Sequence, residues 1–64
     1  MIKVNGELMD AAGITVTKLL SLINCSDNRV AVEINEIIIP KKSYDSTILN
    51  DGDSVEVVRF VGGG

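Results

Sequence analysis

The chain opens by alternating: Ile2 and Val4 are apolar, Lys3 and Asn5 polar, the period of a strand with one buried face. Asn5-Gly6 comes next, a pair that tolerates positive φ and so predicts a tight hairpin turn into a second strand over about Glu7 to Met9. Asp10-Ala11-Ala12-Gly13 has no strand period and breaks regular structure at Gly13. Beyond it the spacing changes. Val16, Leu19, Leu20 and Ile23 fall at i, i+3, i+4 and i+7, which predicts a helix with one apolar face and Thr15 as its N-cap. Lys18 stands where a capping box needs Glu or Gln, and the polar residues from Asn24 to Asn28 end the helix.

Period two returns from Val30 to Ile34, with Val30, Val32 and Ile34 on one face and Ala31 and Glu33 on the other. Asn35-Glu36 makes a short turn into Ile37-Ile38-Ile39, a strand stopped by Pro40, which has no N–H for a ladder. The segment from Lys41 to Asn50 is mixed, with a single helical turn expected around Tyr44, and Asp51-Gly52-Asp53 signals a tight turn. A last strand runs from Ser54 to Val61, setting Val55 and Val57 against Glu56, Val58 and Phe60, before Gly62-Gly63-Gly64 stops it.

Strand, strand, helix, strand, strand, strand, with one apolar face on the helix and one on the sheet, is the order of an α+β two-layer sandwich. The expected fold is a β-grasp, or ubiquitin-like, fold: a mixed sheet of four to five strands packed on one α-helix, which lets the first and last strands pair in parallel. The domain is expected to span residues 1–61, with residues 62–64 as a flexible glycine tail.

A chain of 64 residues is one domain that hides only ~60% of its unfolded surface, too small for a deep catalytic cleft. Its hydrophobic content of 45% is mostly aliphatic, with Tyr44 and Phe60 the only aromatics, enough for one core. Charges interrupt every apolar run well short of the ~20 residues of a membrane span, and the first residues lack a secretory pattern, so a cytoplasmic protein with no membrane partner is expected. One cysteine, Cys25, forms no internal disulfide. The net charge of −3 with scattered basic residues disfavours nucleic acid as a partner. It suits docking on a basic protein surface, and equally plain solubility.

Catalytic constellations are few. There is no His, no Cys-x-x-Cys pair and no phosphate-binding glycine loop opening a helix. Asp51 and Asp53 flank Gly52, where Asp serves local turn hydrogen bonds more readily than acid–base work. Cys25 has no His to activate it and reads as a small half-buried thiol, and Tyr44 as an aromatic packing a loop onto the core. The terminal glycines are different: they add no packing and are costly to order. One reading makes them a narrow strand that reaches ~13 Å into a partner enzyme, at ~3.3 Å per residue from Val61, and makes the Gly64 carboxylate a substrate end. The other is a frayed terminus or a linker remnant.

The Gly63-Gly64 end, the Asn5-Gly6 hairpin, Thr15-Val16-x-x-Leu19-Leu20, Val32-x-Ile34-Asn35, the Ile39-Pro40 step and the Asp51-Gly52-Asp53 turn before a Val-rich last strand resemble the ThiS family along nearly the whole chain. That resemblance implies a protein cosubstrate, not an enzyme: a sulfur carrier of thiazole formation in thiamine biosynthesis. A ThiF-like adenylyltransferase would use ATP and Mg²⁺ to adenylate Gly64, a sulfur donor protein would convert it to a thiocarboxylate, and a ThiG-like thiazole synthase would receive the sulfur. Gly62 and Gly63 would thread the tail, and the carrier itself would bind no cofactor or metal. Val58 and Phe60 are expected to point away from the helix and, with Ala31 across the sheet, to form a small apolar patch that suggests a partner docking surface, the other reading being ordinary exposed apolar residues. A molybdopterin-synthase small subunit, a noncovalent β-grasp interaction module and a ubiquitin-like modifier are the competing readings.

Overall fold

Two tight turns with the same chemistry organise the sheet. Asn5 and Gly6 take φ of 50° and 86°, and Asn35 and Glu36 take 51° and 70°. Both turns therefore place their central residues in the left-handed region, the twist that matches antiparallel strands. The first joins β1 (Ile2–Val4) to β2 (Glu7–Met9), and the second joins β3 (Val30–Ile34) to β4 (Ile37–Ile39). The computed structural model describes residues 1–26 and 29–60.

Between the hairpins lies α1 (Val16–Leu22), and β5 (Ser54–Arg59) closes the sheet. Its order is β2-β1-β5-β3-β4. The last strand thus sits at the centre, parallel to β1 with Val4 beside Val55, and antiparallel to β3 with Ala31 beside Val58. The expected β5 reached Val61, whereas the strand ends at Arg59 and Val61 falls outside the described residues.

Local signals account for the helix ends. The Thr15 hydroxyl accepts the Lys18 N–H at 3.1 Å, and the N–H groups of Val16 and Thr17 donate to the carbonyls of Thr47 and Tyr44, so three first-turn donors are satisfied. At the other end Asn24, with φ of 59°, receives the chain in the left-handed region. The Cys25 N–H reaches back to the Leu20 carbonyl at 2.7 Å and the Asn24 N–H to that of Ser21 at 3.3 Å, the pair of bonds that defines a Schellman cap.

Val16, Leu19 and Leu20 from the helix meet Ile2, Val4, Val30, Val32, Ile34 and Val55 from the sheet, all buried. Burial of each such side chain stabilises by about 1.5–3 kcal/mol before conformational entropy is counted. Ile23 and Val57 pack half-buried at the rim. Two members escape the periodic patterns: Ala11, in the loop after β2, and Leu49, fully enclosed. Leu49 is carried in by backbone pairing of Gly13 and Ile14 with Leu49, at 2.7 and 2.8 Å. The helical turn expected around Tyr44 is a 3-10 turn over Lys41–Ser43 that Tyr44 terminates.

Candidate functional site

Ala31, Val58 and Phe60 come together. Ala31 and Val58 are direct partners across β3 and β5, and Phe60 follows two residues along on the same face, where its N–H donates to the Arg29 carbonyl at 2.7 Å. This is the sheet face opposite α1. Val58 is 51% and Phe60 55% exposed, so half of each apolar side chain remains in water. Glu33 and Glu56 face each other next along the same two strands, and like charges set directly opposite weaken a strand pair. The patch therefore has an acidic border.

The strand bearing this patch is held by the two turn asparagines, at its first residue Ser54 and at Val57 in its second half. Asn5 Oδ1 accepts the Val57 N–H at 2.8 Å while its Nδ2 donates to the Val57 carbonyl at 3.2 Å. Asn35 Oδ1 accepts the Ser54 N–H and its Nδ2 donates to Asp53 Oδ1, both at 3.0 Å. Sequence reading assigned these residues to turns alone. The signal it passed over is the choice of Asn where Gly or Asp would also turn the chain, since only the amide both donates and accepts.

Gly62, Gly63 and Gly64, the expected threading and attachment residues, lie outside the described residues. The remaining polar candidates have local duties. Asp53 Oδ2 accepts the Asn50 N–H at 2.9 Å, and the Asp53 N–H closes the turn onto the Asn50 carbonyl, with Gly52 at φ of 90°. Asp51 accepts a hydrogen bond from the Met1 ammonium, which lowers the carboxyl from its ordinary value and raises the amine. Cys25 is a free, half-buried thiol beside the core, and Tyr44 packs half-buried against it. Among the described residues no group of three or more His, Cys, Asp or Glu side chains could hold a metal ion, and no helix is long and apolar enough to cross a membrane. A shallow groove of about 230 Å³ opens on the helix side between β4 and the 47–50 segment, lined by Ile37, Ile39, Ile48 and Asn50 among others. Of the expected site residues that are described, Ala31, Val58 and Phe60, none lines it.

A five-stranded mixed sheet with a parallel central pair and one covering helix defines a β-grasp domain of the ubiquitin-like kind. The ThiS family model matches residues 2–64, and the chain belongs to the ThiS family. It is similar to the sulfur carrier protein ThiS of Bacillus subtilis strain 168, 42% identical over 50 residues, covering 78% of this chain and 76% of that one. Similarity extends to a thiazole synthase of Paramagnetospirillum magneticum, 45% identical over 62 residues, covering 95% of this chain but only 19% of that protein. The chain thus spans about a fifth of that relative's length. Among solved structures, the crystal structure of the thiamine biosynthesis protein ThiS from Geobacter metallireducens superposes with a TM-score of 0.78 at 36% identity, covering 98% of this chain and 97% of the other.

Proposed function

We propose that this chain carries sulfur for thiazole formation in thiamine biosynthesis, loaded on the carboxylate of Gly64. The observation that carries the reading is the apolar patch of exposed Val58 and Phe60 beside half-buried Ala31 of β3, on the segment that leads into Gly62-Gly63-Gly64. A partner that grips this patch gains a fixed reference from which a side-chain-free segment enters its active site.

A carboxylate is a poor acyl donor. Its oxygen would attack the α-phosphorus of Mg²⁺-bound ATP on a ThiF-like adenylyltransferase, expelling pyrophosphate and leaving an acyl adenylate. Sulfur at the oxidation level of sulfide, delivered by a donor protein, would then attack the acyl carbon and expel AMP, giving a thiocarboxylate that is ionised near neutral pH. The occurrence of a segment like this one within a thiazole synthase supports a ThiG-like enzyme as the acceptor. The chain acts as cosubstrate, and the nucleotide and metal belong to the partner. With the adenylyltransferase, MgATP and sulfide, the purified protein is expected to gain the mass of one oxygen exchanged for sulfur. An unchanged mass beside an active partner would refute the proposal.

Phe60→Ala separates docking from folding. With its side chain 55% exposed, truncation is expected to move stability by no more than about 0.5 kcal/mol. Loss of an aromatic anchor at an interface should weaken adenylyltransferase binding about tenfold. Unchanged affinity in a titration, with lowered thermal stability, would make Phe60 a core residue instead.

A further inference from the structure

We infer that Asn5 is a positioning residue for loading of the chain end, because its side-chain amide replaces a strand residue beside Val57 and so fixes the direction in which β5 leaves the sheet. The inference rests on the carrier reading above.

The parallel ladder between β1 and β5 includes the Lys3 N–H on the Asp53 carbonyl and the Asn5 N–H on the Val55 carbonyl, each at 2.9 Å. A further β1 residue would meet Val57 next, but the chain turns away at Asn5-Gly6. The Asn5 amide fills that place with one bond in each direction, as a peptide group would. Val57 lies immediately before Val58 and three residues before Phe60, so this is where β5 passes beyond the cover of β1. On its other side β5 stays paired with β3 through Arg59, and the Arg59 guanidinium donates to the Asn24 carbonyl at 3.0 Å. Without the amide, β5 would lose its bracing at Val57 on the β1 side and keep the β3 ladder and the Arg59–Asn24 bond.

The turn does not require this amide, since Gly accepts φ of 50° without strain. Asn5→Gly therefore preserves the turn and deletes the brace. Asn35→Gly supplies the control: it removes the other turn amide on β5, which bonds the Ser54 N–H and Asp53 Oδ1 at the start of the strand, away from the exit. Both variants should lose a few degrees of thermal stability. Only Asn5→Gly should expose the Val57 amide to faster hydrogen exchange and lower kcat for thiocarboxylate formation by about tenfold, with KM within about twofold, because misplacement of a reacting group costs turnover. Asn5→Asp keeps the acceptor for the Val57 N–H but sets a carboxylate oxygen against the Val57 carbonyl, so its kcat should fall between the two; it also serves if Asn5→Gly does not fold.

The inference is overturned if the Asn5 variants match Asn35→Gly in kcat, if only KM moves, or if Val57 exchange is unchanged. Failure of the unaltered protein to be loaded would instead remove the carrier reading, and this inference with it.

Discussion

Removal of Gly64 is expected to leave the thermal transition within a degree or two of the full chain and to abolish sulfur loading. The glycines contribute no side chains to the core formed by Ile2, Leu19, Val32, Leu49 and their neighbours, so the fold has little to lose. The chemistry has much to lose, because shortening an extended backbone by one residue withdraws the carboxylate by ~3.3 Å from the phosphorus it must attack. Reactions of this kind depend on reacting atoms held ~3–3.5 Å apart, so the loss should be complete within assay limits. Pyrophosphate release and thermal unfolding, followed on the same samples, check it. A noncovalent module would keep both its stability and its affinity for a partner, and shortened chains that still release pyrophosphate at the original rate would exclude Gly64 as the acyl group.

Leu19→Ala should have the largest effect on folding. Leu19 is fully buried on the helix face, in a core cluster that also holds residues from β1 and β3. Truncation of such a leucine costs about 3 kcal/mol through lost burial and the cavity left behind. A core of this size supplies about 3–5 kcal/mol of net stability, so the variant should be largely unfolded or melt roughly 15–20 °C lower. Circular dichroism melts decide this. A shift of only a few degrees would mean that the helix is not seated on the sheet as described.

Periodic patterns made most of this arrangement readable. Val30, Val32 and Ile34 share a face because side chains alternate along a strand, and Val16, Leu19 and Leu20 share one because a helix repeats every 3.6 residues. Asn-Gly and Asn-Glu marked their turns for equally local reasons. Ala11 and Leu49 were hidden because neither belongs to a repeating element: each reaches the core through a loop whose path is set by distant partners, such as the Gly13 N–H on the Leu49 carbonyl. The outward patch was legible for the same reason as the core, since knowing that Val55 and Val57 face in obliges Val58 and Phe60 to face out. The asparagine clamps were not legible, because the partners Asn5 and Val57 lie 52 positions apart and only the topology brings them together.

The proposal puts the chemistry on the Gly64 carboxylate, so it is best tested where sulfur is found. Tandem mass spectrometry of the protein recovered from its native cell should locate an oxygen-for-sulfur exchange on the C-terminal peptide, at Gly64. Sulfur added whole to Cys25 as a persulfide, with an unmodified C-terminal peptide in cells making thiazole, would contradict the proposal, because the half-buried thiol and not the backbone acid would then be the carrier.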